Sequence, residues 1–167
     1  MQSFNEKDLY VMKVNLSNEA QIALNSELLP LGFPPVQSGL VFKKRNTNPM
    51  SYTDCHVDWL NDSPCYTSLI FPIQNCDNTP MYWYDGEYDL VNHLSKNNVT
   101  SYQIKWKSPG KFLHSVNLVD QPWLCKVNIP HSVYGVGDHY RITCTFRFFG
   151  NPDYETCITR FKEHRKI

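Results

Sequence analysis

Nine residues, Tyr140 to Phe148, alternate without a break between two kinds of side chain. Arg141, Thr143, Thr145 and Arg147 share one parity, and Ile142, Cys144, Phe146 and Phe148 share the other. A period of two belongs to an extended strand, whose successive side chains leave on opposite faces. The stretch is therefore predicted to be a strand. Its apolar face should pack against the body of the protein, and its other face should carry two guanidiniums and two hydroxyls. Just upstream, Ile129, His131 and Val133 share a parity and predict another strand. The two strands are joined through Tyr134 to Asp138, where Gly135 and Gly137 can take positive φ at no steric cost. This pair of strands brings a histidine, a planar cation and a hydroxyl around one small space.

The rest of the chain predicts a mainly β body. Leu9 to Asn15 reads as a first strand. Ser17 reads as the N-cap of a helix over 18–29, with Ala20, Ile22, Ala23, Leu24, Leu28 and Leu29 apolar, and Pro30 and Gly32 end it. Short strands are predicted at 39–44, 52–59, 66–74, 81–84, 101–107, 111–117 and 123–129. The unbroken apolar centre of 66–74 suggests burial on both faces. A closing helix is predicted at 153–164. Many short strands between polar turns indicate a sandwich or barrel. The 167 residues suit a single domain. Its expected parts are an N-terminal strand and helix in 1–38, a β core in 39–149 and a tail in 150–167.

Charge and cysteine usage narrow the class. Lys plus Arg equals Asp plus Glu at 16 each, so there is no global field favouring nucleic acid, and no nucleic-acid partner is expected. No apolar run reaches membrane length, and residues 1–15 carry Glu6, Lys7, Asp8 and Lys13 in place of a leader-like stretch. The six cysteines form no Cys-x-x-Cys pair and suggest neither a zinc knuckle nor a disulfide framework. They read as reduced thiols in a cytoplasmic protein, where the sequons at Asn15 and Asn98 carry no meaning.

The chemistry concentrates in Cys55-His56-Val57-Asp58-Trp59. On a strand, His56 and Asp58 share a face. Two ligands from one strand and a third, His131, from a distant strand make a three-ligand site. Two histidines and one carboxylate with open positions suit non-haem Fe(II). Arg141 stands ten residues after His131, and Thr143 two further on.

In these residues the chain resembles the Fe(II)- and 2-oxoglutarate-dependent oxygenases, over roughly 39–149. That family's pattern is H-x-D on an early strand, a second His on a late strand, and R-x-S or R-x-T about ten residues later. Here it falls on His56, Asp58, His131, Arg141 and Thr143. The resemblance implies a double-stranded β-helix, or jelly roll, with one or two flanking helices and the site between facing sheets. It implies iron held by His56, Asp58 and His131, with 2-oxoglutarate as co-substrate, its 5-carboxylate reaching Arg141 and Thr143. The implied activity is a dioxygenase, a hydroxylase of a substrate left unnamed. The shortness of the chain leans toward a small molecule or an exposed protein side chain. A guanidinium fork and a hydroxyl are the groups a carboxylate needs.

Two other readings stand beside it. One is a cupin-like metalloenzyme without 2-oxoglutarate, in which Arg141 has no co-substrate to hold. The other is a non-catalytic jelly-roll binding module whose polar groups satisfy one another, with Arg141 paired to Asp58 or another carboxylate. The remaining histidines, His93, His114, His139 and His164, lack partners at ligand spacing and read as surface or structural. Arg147, further along the strand face, reads first as a surface ion pair and second as a group that helps bind an anion. Trp59 and Met81 to Tyr84 read as core. Lys96, Lys105, Lys107 and Lys111 read as a solvated face.

Overall fold

A computed structural model describes residues 9–45, 55–60, 63–94, 100–134 and 140–165. The elements run β1 (Leu9–Val14), α1 (Asn18–Leu28), a 3-10 turn (Leu29–Leu31), β2 (Val36–Arg45), β3 (His56–Val57), β4 (Trp59–Leu60) and β5 (Ser63–Pro64). They continue with β6 (Thr67–Gln74), β7 (Met81–Asp85), β8 (Tyr88–Leu94), β9 (Thr100–Trp106), β10 (Lys111–Val116), β11 (Trp123–Lys126), β12 (His131–Val133), β13 (Tyr140–Phe148) and α2 (Tyr154–Arg165). The protein is mainly β, with two antiparallel sheets and two helices. One sheet has five strands in the order β1-β2-β13-β6-β11, the other six in the order β10-β7-β12-β3-β9-β8, and β4 and β5 form a short hairpin.

The helices form where local chemistry favours them. The Ser17 hydroxyl accepts from the Ala20 N–H at 3.2 Å, as an N-cap should. Gly32, at φ 81°, closes the following turn in the left-handed region that Gly enters without strain. The Asp153 carboxylate accepts from the Thr156 N–H at 2.8 Å and starts α2. The apolar residues of α1 are spread around its surface, so only Leu28 is buried.

Three apolar clusters build the layers. Leu28, Phe33, Val36, Leu69, Phe146, Phe148 and Cys157 pack the helices onto the outer face of the five-stranded sheet. Phe33 stacks on both Phe148 and Phe161 there, at 5.8 and 5.7 Å between centroids. Between the sheets lie Ile70 and Cys125 from one side and Met81 and Trp83 from the other. Cys55, Val57, Tyr84 and Ile104 cover the outer face of the six-stranded sheet.

Several sequence expectations change. β13 alternates as predicted, but its polar face is the interior one. Arg141, Thr143, Thr145 and Arg147 are all buried, while Ile142 and Cys144 are half-exposed on the apolar face. On that apolar face Phe146 and Phe148 are buried in the cluster beneath the helices, and Cys144 packs against its edge. The strand expected over 52–59 is two short pieces, with residues 52–54 outside those described. It breaks at Asp58, whose N–H donates to the Val127 carbonyl and whose carbonyl accepts from Cys65 N–H. β11 stops at Lys126, short of the 129 expected. β6 is fully buried only over 67–70, and Ile73 is 62% exposed. β8 was not anticipated: it is an edge strand with Leu90 and Val91 largely exposed, so no clear alternation marks it. Gly135, Gly137, Asp138, His139 and Lys96 lie outside the described residues. No helix among those described is long and apolar enough to cross a membrane, and none of the six cysteines is in a disulfide.

Phe148, 1% exposed beneath both helices, is the side chain most committed to the helix–sheet contact. Phe148→Ala should cost about 3–5 kcal/mol of stability, measured as a shift in the urea midpoint, because the cavity cannot close between rigid layers.

Candidate metal centre

The register of the six-stranded sheet assembles the centre. His131 pairs with Trp83 on one side and His56 on the other, and His56 pairs with Gln103. Directly opposed residues of antiparallel strands share a face. Trp83, His131, His56 and Gln103 therefore form one rung across four neighbouring strands, with the two histidines in its middle. Their rings stand 4.4 Å apart between centroids. Asp58, just past the end of β3, points to the same side.

One ligand atom from each of His56, Asp58 and His131 lies within 4.8 Å of the others, a group that could hold a metal ion. Asp58 Oδ1 is 3.6 Å from His56 Nε2 and 3.7 Å from His131 Nε2. Both distances are too long for hydrogen bonds, which fall at about 2.7–3.2 Å. Nitrogen and oxygen ligands about 2.0–2.2 Å from one ion stand about 3–3.5 Å from each other. The three atoms thus converge on a common point without bonding one another, and the residues fit a metal.

Neighbouring groups fix the ligand orientations. His131 Nδ1 lies 2.9 Å from the Ile129 carbonyl, which can only accept, so Nδ1 donates and the lone pair sits on Nε2 toward Asp58. Burial lowers the His131 pKa, against the pull of Asp58, and keeps the ring neutral as a ligand must be. The other carboxylate oxygen, Asp58 Oδ2, accepts from Arg147 Nη2 at 2.9 Å. Burial alone would raise the Asp58 pKa, but the Arg147 guanidinium beside it holds it below the usual value. Arg147 is thus a buried partner of Asp58, in place of the surface ion pair expected from sequence. Parity alone placed it on the site face; what sequence lacked was the sheet opposite it.

Arg141 and Thr143 lie on the same strand face. Arg141 is 6% exposed, and burial lowers its pKa. Its Nη1 makes a long 3.5 Å contact to the Thr143 hydroxyl, and its Nε has no acceptor among the described residues. Among the described residues no carboxylate pairs with Arg141; its electrostatic neighbours are the thiols of Cys76 and Cys125. Burial pushes the Cys125 thiol up to about 12, so it stays protonated and supplies no counter-charge. A buried guanidinium without an anion is costly unless a ligand supplies one.

The other candidates stay structural. Trp83 and Tyr84 are buried core, and His114 stacks on Trp83 at 4.7 Å from an exposed edge strand. His164 Nδ1 contacts the Arg160 carbonyl on exposed α2. Lys105, Lys107 and Lys111 are exposed, with Lys107 3.1 Å from Asp89. Only the backbone of His93 is described, in β8.

No protein-family model matches the chain. No curated protein matches it. Among solved structures it is similar to one titled "X-Ray structure of E. coli ycfD", at 14% identity and a TM-score of 0.44. The match covers 100% of this chain and 42% of that one, so the chain spans less than half that protein's length. So low a score does not establish a shared fold.

His56→Ala, Asp58→Ala or His131→Ala should each abolish tight binding of Mn(II), measured by calorimetry, while circular dichroism still reports a β protein. Undiminished metal uptake in any of them would remove that residue from the ligand set. Arg147→Met should cost about 3–5 kcal/mol in urea denaturation, because it strands the Asp58 charge. Pairing it with Asp58→Leu should recover most of that loss, since an apolar pair can replace a buried ion pair.

Proposed function

We propose that the protein is a non-haem Fe(II) dioxygenase, a hydroxylase that couples oxidation of its substrate to decarboxylation of 2-oxoglutarate. The jelly-roll reading belongs with it: a buried polar strand face, opposite a sheet carrying two histidines, is what a site between facing sheets needs. The observation that carries the proposal is the buried Arg141, which has no carboxylate partner among the described residues, on the strand face that also bears Arg147, the partner of Asp58.

His56, Asp58 and His131 would hold the iron, which when bound supplies a place for oxygen and 2-oxoglutarate to react. Overall, one O2 takes four electrons, two from the substrate C–H and two from 2-oxoglutarate, giving alcohol, succinate and CO2. The protein's share is orientation and charge. Arg147 holds the Asp58 carboxylate so that Oδ1 faces the histidines. The Ile129 carbonyl holds the His131 proton away from the site. Arg141 offers a planar fork to the far carboxylate of 2-oxoglutarate, and Thr143 a hydroxyl that can donate beside it.

One feature favours the non-catalytic module as a second reading: Asp58 already has an ion-pair partner. That module, however, gives Arg141 a carboxylate as well, and among the described residues the ion pair goes to Arg147 instead. The cupin-like alternative keeps the metal and leaves Arg141 without a task.

The test is calorimetry with 2-oxoglutarate and Mn(II) without oxygen, followed by a succinate assay with Fe(II) and ascorbate. Arg141→Ala should keep the metal and weaken 2-oxoglutarate by about 2–5 kcal/mol, roughly thirty-fold to several-thousand-fold. Arg141→Lys should recover only part, because a point charge cannot reproduce the fork. If Arg141→Ala binds 2-oxoglutarate as the wild type does, the cupin-like account replaces this one.

A further inference from the structure

A cavity of about 520 Å³ lies against Arg147, on ground that neither the metal ligands nor Arg141 and Thr143 occupy. That volume is in the range of small-molecule sites. Arg147 forms the wall it shares with the metal centre, since the same guanidinium bonds Asp58. Ser38 stands directly opposite Arg147 in the β2–β13 register and also lines the cavity. Lys13, exposed on β1, contributes a second cation. Leu40, Leu60 and Trp59 supply apolar wall.

The lining has a definite sign. Among its described residues are two cations and no carboxylate. Lys13 makes no ion pair among the described residues. Among the described residues Arg147 has one acid partner, and its buried Nε and Nη1 have no oxygen acceptor; the Cys65 thiol beside it is kept protonated by burial and is a weak acceptor. Asp58 offsets the Arg147 charge, so the surplus positive charge at the cavity is that of Lys13, while Arg147 keeps donor capacity beyond its bond to Asp58. A low-dielectric wall with two cations, a hydroxyl and an apolar flank selects an anion attached to an apolar body.

We propose that this cavity receives the primary substrate, and that the substrate is a small molecule carrying a carboxylate on an apolar body. The carboxylate lies toward Arg147, Ser38 and Lys13, and the apolar part lies along Leu40, Leu60 and Trp59. This rests on the oxygenase reading for the word substrate; the anion site itself does not. The two arginines then divide the work along one strand. They stand six residues apart, about 20 Å of extended chain, with Arg141 serving the co-substrate and Arg147 the substrate side.

The experiment uses the whole chain saturated with Mn(II) and 2-oxoglutarate without oxygen, titrated by calorimetry with phenylacetate and with its neutral isostere phenylacetamide. Phenylacetate should bind with a dissociation constant on the order of a millimolar or tighter, and phenylacetamide at least about tenfold more weakly. Lys13→Gln, on an exposed strand position, should weaken phenylacetate about three- to fivefold and leave 2-oxoglutarate unchanged. Backbone amide shifts at Ser38 and Leu40 should follow the titration. Equal binding of acid and amide, no binding of either, an unaffected Lys13→Gln variant, or displacement of 2-oxoglutarate by phenylacetate would each overturn the proposal. If the protein takes up no 2-oxoglutarate at all, the oxygenase reading falls separately, and the same titration into the metal-free chain still decides the anion site.

Discussion

The bond between Arg147 and Asp58 ties the molecule together. It joins the five-stranded sheet to the chain segment that leaves the six-stranded one, and it does so in a buried place. An ion pair there is not cheap: both charges give up water, and the attraction offsets that only when the geometry is good. The backbone of Asp58 is held to match, by Val127 on one side and Cys65 on the other. This explains why the strand breaks at Asp58. Continuing the ladder would have pointed the backbone groups at a neighbouring strand and moved the carboxylate off its guanidinium.

Once that pair is fixed, the candidate metal centre needs little else. His56 is set by a two-residue strand and His131 by a three-residue one, both too short to be stable alone. They hold position because β7 and β9 flank them. The site is rigid through its neighbours more than through its own elements, and its polar groups face an interior already lined with threonines and arginines.

Period two revealed β13, the common side of His56 and Asp58, and the shared face of Arg141, Thr143 and Arg147. Capping chemistry revealed α1, where Ser17 marks the start and Gly32 closes the turn that follows its end. What parity cannot say is which face points inward. An apolar face and a polar face invite the guess that water meets the polar one. Here two helices cover the apolar residues Phe146 and Phe148, and a second sheet covers the polar row. The same limit hid the partner of Arg147, since a pairing between distant segments leaves no local mark. β8 escaped for a different reason: an edge strand open on both faces has no burial to impose a pattern.

The rung that carries the two histidines is made of segments drawn from far apart in the chain, and Arg147 is contributed by the last strand of all. Contacts of that kind close long loops, which makes them entropically late in folding. Only His56 and Asp58 are neighbours in the chain, so a partly made chain offers at most that pair and lacks His131 and the guanidinium of Arg147. Competence for metal is therefore a property that arrives only when the whole topology has closed, and uptake of an ion would report that the last strand is in register.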